Sequence, residues 1–438
     1  MKLNSRRTVL VGLAFLSICA FWQLYDNVVP LILKDTFGIP DSVAGVVMAM
    51  DNVLALFLLP FFGMLSDKSN TPVGRRMPYI LGGTAAAVIL MNLLPLADKA
   101  RNLPLFVVGL GLLLIAMGTY RSPAVALMPD VTVKPLRSKG NAVINLMGAL
   151  GGVYTLGVTG FLVKKNADGA PPDYTLLFAA VAALMVVCVA ILFFTIKEKK
   201  LAQETALAQA ALDAEEPQAP RAASSHGPKG WASLEPEMRK SLLLILCSVF
   251  LWFMGYNAVT TAFTKYAKEM WGAELGASSG YLMIATVGAV VSYLPVGALA
   301  TKFGRKRVIQ GGVLLLAACF ASGLAFASLS PAIYVMFALV GVAWAMVNVN
   351  SYPMVVEISK SGDVGKFTGY YYTFSMAAQI ATPILSGLLL QYVGYWTLFP
   401  YAAVMVALSF VTISLTRHGD SKPQPPPSKL EAFDAGDD

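Results

Sequence analysis

Three ionisable side chains stand inside apolar stretches of the sequence, where charge is costly. Asp26 lies in LYDNVVP, Asp51 in MAMDNVLA and Arg121 in TYRSPAVALMPD. A charge at the centre of a membrane span costs at least about 2.5–3.5 kcal/mol, so its first interpretation is functional. Two carboxylates beside one cation suit proton coupling, because an acid can keep its proton in one geometry and release it in another. The alternative is a static buried ion pair that fixes helix packing.

Amide, phenol and indole side chains cluster in the same apolar stretches. Amides and phenols beside aromatic faces suit a neutral polyhydroxylated ligand, whose hydroxyls need partners and whose ring faces stack. The alternative use of such side chains is hydrogen bonding between membrane helices. The candidate substrate-binding residues are Trp22, Gln23, Tyr25, Asn27, Tyr120, Asn141, Asn145, Tyr256, Asn257, Asn348, Asn350, Tyr352, Tyr371 and Gln379.

A third group of candidates lies in and beside the polar loops. GMLSDKSNTPVGRRMPYI at 63–80 corresponds to GALATKFGRKRVI at 297–309, and Gly74-Arg75-Arg76 falls on Gly304-Arg305-Lys306 at an offset of 230 residues. Thr301 stands where the second copy should have an acid. Glycine allows close helix approach, and the charged residues can pair with helix ends and with one another, forming a latch on one side. Plain topological charge is the alternative. The candidate gate residues are Gly63, Asp67, Arg75, Arg76, Asp130, Arg137, Arg305 and Glu357.

The composition places these residues in a membrane protein. Of 438 residues, 56% are hydrophobic and 13% are charged, whereas soluble proteins carry roughly 25% charged residues. So little charge cannot cover a water-soluble surface, which predicts a polytopic membrane protein. The four cysteines stand alone in apolar runs and both histidines lie in polar segments. No nucleophile–base pair, P-loop or metal spacing is present, so we expect no enzyme activity, no cofactor and no metal.

Twelve apolar stretches are long enough to cross a bilayer, for which about 20 residues are needed. Their continuous length indicates helices, since barrel strands alternate over about ten residues. The prediction is an all-α protein of two pseudo-symmetric six-helix bundles, residues 1–196 and 241–416, with a linker at 197–240 and a disordered tail at 417–438. The predicted spans are 8–33, 43–65, 79–97, 103–128, 141–163, 174–196, 241–266, 277–300, 308–328, 332–356, 369–393 and 396–416.

The basic residues predict the orientation. With the N-terminus inside, 25 Lys and Arg residues fall on the cytoplasmic side and seven on the other, which predicts that both termini are cytoplasmic. The net charge of +8 is therefore topological and gives nucleic-acid binding no support. The linker begins with an Ala/Glu/Gln-rich, helix-prone half and continues with a Pro/Ser/Gly-rich half typical of a flexible connection.

A six-span unit repeated in parallel orientation is typical of carriers that rock two halves about a central site. The G-x-x-x-D-x(n)-G-R-R/K signature of the loops resembles that of the major facilitator superfamily, and the resemblance extends over all twelve spans. LYDNVVPLIL, MAMDNVLALFLLPFFGMLSDKSNTPVGRRMPYILGG, YRSPAVALMPDVTVKPLRSKGNAVINLMGALGG and NVNSYPMVVEISKSGDVGKFTGYYYTFSMAAQIATP resemble bacterial relatives of the sucrose/proton symporters. These border the glycoside–pentoside–hexuronide:cation symporters.

The resemblance implies uptake of a sugar or glycoside coupled to a cation, with a proton as the ion, through a monomer in the cell inner membrane. Plant sucrose carriers have a stretch like R-A-L-L-A-D-L at the end of span four. Asp130 matches its acid, Val125 stands at the position of its arginine, and Arg121 lies one turn earlier. Asn141 matches an asparagine that opens span five in such carriers.

Three other classes remain open. The same fold supports an antiporter or exporter of small amphipathic compounds or metabolites. A sodium-coupled glycoside symporter is the second, and a membrane sensor that transports nothing is the third. The membrane-embedded Asp26, Asp51 and Arg121 argue against a sensor, which does not need them. In every transporting class, the energy comes from a gradient rather than from ATP.

Overall fold

The computed structural model describes residues 3–133, 136–163, 172–215, 234–358 and 364–419, which form thirteen α-helices and no β-strand. Twelve of these helices are long and apolar enough to span a membrane, which confirms the predicted fold class. The helices are α1 (Ser5–Asp35), α2 (Asp41–Lys68), α3 (Met77–Lys99), α4 (Leu103–Asp130), α5 (Arg137–Leu162), α6 (Thr175–Thr195), α7 (Glu198–Glu215), α8 (Pro236–Trp271), α9 (Leu275–Phe303), α10 (Arg305–Ser322), α11 (Ala332–Glu357), α12 (Val364–Tyr392) and α13 (Leu398–Ser414).

The spanning helices form two halves with the same internal packing. In the first half α1 packs on α5 and α6, and α4 packs on α2 and α3; in the second half α8 packs on α12 and α13, and α11 packs on α9 and α10. Each half encloses its own cluster of buried apolar side chains. The halves meet where α2 contacts α12, α5 contacts α9, and α1 contacts α8. These contacts place a central space between α1 and α8.

The segment between the halves is partly helical. The helix-prone first part of the predicted linker forms α7, and α8 begins at Pro236, inside the stretch assigned to the linker. The predicted flexible part at 216–233 and the predicted tail from 420 onward lie outside the described residues.

Local sequence explains several helix boundaries. The side chains of Asn4 and Asn102 accept hydrogen bonds from the backbone amides of Arg7 and Leu105, at 3.1 and 3.0 Å, and so cap α1 and α4. Gly304 separates α9 from α10 with a φ of 90°, a conformation that L side chains rarely adopt. The chain therefore reverses direction in one residue at this point.

The two faces of the bundle are named here by their first loops. The α2–α3 side contains residues 69–76, and the α1–α2 side contains residues 36–40. Because successive spanning helices alternate in direction, the loop between α4 and α5 lies on the α2–α3 side. By the same alternation, the loops that follow α3, α8 and α12 lie on the α1–α2 side.

The contact between α1 and α5 depends on a glycine. A Cβ at Gly151 would overlap the carbonyl oxygen of Leu16, whereas a Cβ at Gly82 in α3 would meet no atom within 4 Å. Small residues let membrane helices approach at backbone distance, which is the main source of packing energy between them.

Gly151→Ala is therefore expected to lower the free energy of unfolding by about 1–3 kcal/mol, because α1 and α5 must move apart. The control Gly82→Ala should leave stability unchanged or raise it by up to about 1 kcal/mol through better helix propensity. Thermal unfolding of both variants in detergent, followed by tryptophan fluorescence, measures the difference. Equal midpoints for the two variants would contradict this account of the contact.

Candidate functional site

Arg76 organises a charged cluster on the α2–α3 side. It is buried at the start of α3, and its Nε donates to Asp130 Oδ2 at 2.8 Å, at the end of α4. Its terminal nitrogens donate to Asp67, to Ser66 Oγ and to the carbonyl oxygen of Gly63, all near the end of α2. One guanidinium thus joins the ends of α2, α3 and α4, and the predicted gate residues of the first half lie together.

Arg75 binds the same carboxylate from the neighbouring position. Its Nε donates to Asp130 Oδ2 at 3.1 Å, and its Nη2 pairs with Asp130 Oδ1. These hydrogen bonds raise the pKa of Arg75, so the guanidinium stays charged. The two arginines share one carboxylate, which leaves the cluster sensitive to any movement of α4.

Glu198, which the sequence did not single out, completes this cluster from α7. Its Oε1 accepts hydrogen bonds from the backbone amides of Arg75 and Arg76, and its Oε2 accepts one from Met77, each at 2.8 Å. The side chain is buried and fills the space where a Cβ of Gly74 would lie. A carboxylate at a helix N-terminus satisfies free amides and interacts with the positive end of the helix. The signal available in the sequence was a single acid within the basic run KEKK.

The gate residues of the second half form a smaller arrangement. Arg305 pairs with Glu357 across the start of α10 and the end of α11. Lys306 Nζ donates to the carbonyl oxygens of Ser414 and Thr416, at 2.9 and 2.7 Å, and so binds the end of α13. Lysine at a helix C-terminus is electrostatically favourable.

Arg137 binds the carbonyl end of a helix in the first half, as Lys306 does in the second half. Its Nη2 donates to the carbonyl oxygen of Pro129 at 3.0 Å, and its Nε donates to that of Thr132 at 3.2 Å. The side chain therefore binds the carbonyl end of α4, next to Asp130. Asp67, Arg75, Arg76, Asp130, Arg137 and Glu198 together make up what we call the charged cluster.

A cavity of about 200 Å³ lies between the two halves. Gln23 and Asp26 of α1 form one wall, and Tyr256 and Thr260 of α8 with Thr286 of α9 add further polar groups. The remaining wall is apolar and consists of Val259, Leu282, Ala285, Phe320, Phe337 and Val340. The cavity therefore combines hydrogen-bonding groups from both halves with apolar side chains from the second half.

The three membrane-embedded ionisable residues lie together beside this cavity. Asp26 lines the cavity, and its carboxylate interacts electrostatically with that of Asp51. Arg121 attracts the Asp51 carboxylate electrostatically, and its guanidinium carbon lies 5.6 Å from the ring centroid of Trp22. Asn52 Nδ2 donates to Asp51 Oδ1 at 2.8 Å. The arrangement joins α1, α2 and α4 through one cation and two acids.

Buried polar atoms without partners occur on α1, α5 and α8. Among the described residues, Trp22 Nε1, Asn145 Nδ2 and Asn257 Nδ2 are buried and make no hydrogen bond within the protein. Such donors are rare in folded proteins and suggest an absent partner. Tyr256 stacks on Trp344 with a centroid separation of 3.7 Å and an interplanar angle of 7°. The sequence did not single out Trp344, Thr260 or Thr286; an isolated tryptophan in the apolar run VGVAWAMV was the available signal.

Other candidate substrate residues bond within the protein. Tyr120 OH donates to the carbonyl oxygen of Ala14, inside the first half. The amides of Asn27, Asn350 and Gln379 donate to backbone carbonyls one turn earlier in their own helices. Tyr25 OH donates to Val47 O, Tyr352 bonds Thr368, and Tyr371 bonds Ser351, while Asn348 is buried in α11 and Asn141 lies in the second turn of α5.

The halves close against each other on the α1–α2 side. Asp41 pairs with Lys265 at 2.8 Å, Lys34 with Glu269 at 2.9 Å, and Asp35 with Lys268, and each pair joins the two halves. A Cβ at Gly45 would overlap the backbone of α12, and one at Gly387 would overlap the backbone of α2. The sequence counted Lys34, Lys265 and Lys268 only as topological charges.

Comparison with known proteins identifies one family and several transporters that the chain resembles. A family model described as Major Facilitator Superfamily matches residues 11–293 and 271–435. Sucrose transport protein SUC3 of Arabidopsis thaliana is 26% identical over 191 residues, which are 37% of this chain and 32% of that protein. Proton-associated sugar transporter A of Mus musculus is 28% identical over 179 residues, 34% of this chain and 24% of that protein.

A relative with another substrate matches over a similar length. The ectoine/proline transporter ProP of Corynebacterium glutamicum is 29% identical over 198 residues, 44% of this chain and 37% of that protein. The matched part of the chain thus spans 24% to 37% of the length of these curated relatives.

Solved structures resemble the chain over almost its whole length. The D-xylose-proton symporter has a TM-score of 0.66 at 15% identity and covers 94% of this chain and 97% of its own. The nucleoside transporter NupG has a TM-score of 0.67 at 12% identity and covers 94% of this chain and 99% of its own. At these identities the likeness concerns the fold alone.

Removing the Glu198 carboxylate should destabilise the charged cluster. Glu198→Ala leaves three backbone amides at the start of α3 without their acceptor, and loss of a helix cap costs about 0.5–2 kcal/mol. The midpoint of thermal unfolding in detergent should fall. Glu204→Ala is the matched control, because Glu204 lies on the same helix, is exposed and pairs weakly with Lys200 at 3.8 Å. An equal fall in both variants would show that Glu198 does not cap α3.

Proposed function

Since the chain belongs to the Major Facilitator Superfamily, and is thus a multi-pass membrane transporter of a small molecule rather than an enzyme, we propose that it carries a sugar or glycoside together with a proton. The observation that carries this proposal is the central cavity, in which Asp26 lies beside Gln23, Tyr256 and Thr260. Ion and substrate thereby share one site between two halves that can rock about it.

The proton-coupling part rests on Asp26, Asp51 and Arg121. Asp26 is the acid that reaches the cavity, so it exchanges its proton with water or substrate there. Asp51 interacts electrostatically with both of the others: its charge opposes ionisation of Asp26, and the charge of Arg121 stabilises ionised Asp51. Two neighbouring carboxylates repel one another when both are charged, which favours a proton on one of them. Movement of Arg121 with α4 then alters which protonation state is favoured.

The sugar part rests on the chemistry and size of the cavity. Trp22 Nε1 and Asn257 Nδ2 are unpaired donors that neighbour the cavity-lining Gln23 and Tyr256 in sequence, and sugar hydroxyl oxygens accept such hydrogen bonds. The aromatic ring of Tyr256, backed by Trp344, suits the apolar face of a pyranose. About 200 Å³ is below the range of roughly 300–1,000 Å³ usual for drug-sized ligands. This favours a monosaccharide or a compact glycoside.

The names of the relatives support a sugar and leave a second candidate. Two of them are named as a sucrose transport protein and a proton-associated sugar transporter, and a third as an ectoine/proline transporter. The apolar wall formed by Phe320 and Phe337 would also accommodate a compact amphipathic solute. We therefore keep transport of another small solute as the second candidate.

The orientation belongs to the same proposal. We assign the α2–α3 side to the cytoplasm of the cell, because 25 of the Lys and Arg residues fall on that side and seven on the other. The described contact between Asp41 and Lys265 then closes the outer face in this conformation. We propose that the transporting unit is a monomer, since each chain contains both halves of the cavity.

Uptake into proteoliposomes tests the substrate and the ion together. With the inside made alkaline, at least one labelled monosaccharide or small glycoside from a panel should accumulate several-fold above equilibrium, and a sodium gradient alone should not drive it. Accumulation under sodium but not under a pH gradient would replace the proton with sodium. Failure of every sugar, with accumulation of proline or ectoine, would favour the second candidate.

Asp26→Asn tests the role of the acid. This change removes a titratable group of the cavity while preserving its size, so gradient-driven accumulation should fall at least tenfold and counterflow exchange should persist. Asp173→Asn is the matched control, because Asp173 is exposed and lies outside the spanning helices. Equal loss of accumulation and exchange in Asp26→Asn would instead indicate a structural role.

A further inference from the structure

Four charged residues on the α1–α2 side form two of the three ion pairs between the halves; the third is Asp35 with Lys268. Asp41 of α2 pairs with Lys265 of α8 at 2.8 Å, and Lys34 of α1 pairs with Glu269 of α8 at 2.9 Å. Asp41 and Lys265 are buried, with 6% and 7% of their side chains exposed. Access to the cavity from this side requires the halves to separate here, and both pairs must then break. A buried charge that loses its partner is strongly unfavourable, so the fate of each charge decides how easily this side opens.

Each half already contains the partners for a second arrangement. Lys34 Nζ lies 3.9 Å from Asp41 Oδ2, and both residues belong to the first half. Lys265 and Glu269 both belong to α8 and are four residues apart, which places them on one face of the helix within reach of each other. The four charges can therefore pair across the halves or within them.

Tyr395 of the second half stands between the two partners in the first half. Its hydroxyl donates to Asp41 and accepts from Lys34, and the Lys34 ammonium lies 4.2 Å from the centroid of its ring. Tyr395 moves away with the second half when this side opens, so its hydroxyl no longer separates Lys34 from Asp41. The closed arrangement is thus held partly by a group that opening itself removes.

We propose that this side opens by exchange of ion-pair partners. In the closed state Asp41 pairs with Lys265 at 2.8 Å and Lys34 with Glu269 at 2.9 Å, while Lys34 and Asp41 are paired only at the longer distance of 3.9 Å. In the open state Lys34 pairs with Asp41 within the first half, and Lys265 pairs with Glu269 within α8. None of these four charges is left without a partner in either state, so opening does not leave the buried Asp41 or Lys265 unpaired. The third pair between the halves, Asp35 with Lys268, breaks without an exchange, and its lysine is 44% exposed. This exchange does not depend on the identity of the substrate or of the coupling ion.

Spin labels report the opening directly. Exposed Leu105 at the start of α4 and exposed Leu329 after α10 lie on the α1–α2 side in different halves. Both are replaced by cysteine for labelling, after Cys19, Cys188, Cys247 and Cys319 have been replaced by alanine. Pulsed electron paramagnetic resonance in phospholipid vesicles then gives the populations of short and long distances.

Substitutions that exchange the charges of a pair distinguish partner exchange from a simple clamp, in which the ion pairs only hold this side closed. Asp41→Lys with Lys265→Asp keeps a pair between the halves but sets like charges against each other within each half. We expect the population of the long distance to fall at least fivefold. Adding Lys34→Glu and Glu269→Lys restores both arrangements, and the population should return to within twofold of the parent. The control is the exchange of Lys99 with Asp173, an exposed pair within the first half, which should change nothing.

Lys34→Gln provides an independent and milder test. It removes one closed-state pair, but it also removes the partner of Asp41 in the open state. Partner exchange therefore predicts a smaller long-distance population, whereas a clamp predicts a larger one. The proposal is overturned if Lys34→Gln increases opening, if the double exchange opens like the parent, or if the fourfold exchange opens no better than the double exchange.

Discussion

Charge inside the bilayer constrains this molecule more than any other property. An ionic group in a spanning helix needs a partner, because hydrocarbon cannot solvate it. In the mechanism proposed here the two halves also move relative to one another, so a partner held in one state can be lost in the next. The described charges meet this constraint in different ways on the two sides and in the centre, and those differences correspond to different tasks.

On the α2–α3 side, each described ion pair joins two residues of the same half or of its adjoining helix. Arg75 and Arg76 share Asp130, and Glu198 caps the start of α3, all within the first half and its adjoining helix. Arg305 and Glu357 pair within the second half. These pairs survive a rigid rotation of the halves. They stabilise the ends of helices and keep each half rigid, which a rocking movement requires.

On the α1–α2 side, the charges join the halves, and close backbone packing at Gly45 and Gly387 accompanies them. In the centre, by contrast, Trp22 Nε1 and Asn257 Nδ2 are buried without a partner among the described residues. A folded protein rarely leaves such donors unpaired. We propose that a bound ligand supplies the missing partners of these donors.

The sequence alone was enough to predict the class, the twelve spans and the family, because these depend on composition, periodicity and local motifs, which are properties of neighbouring residues. It also singled out Asp26, Asp51 and Arg121, since charge in an apolar run is visible locally. It could not identify the pairing of Asp41 with Lys265, which are separated by 224 residues, or the capping of α3 by Glu198. Only the tertiary structure decided those, because an ion pair or a cap depends on distance in space, and the sequence counted Lys265 only as a topological charge.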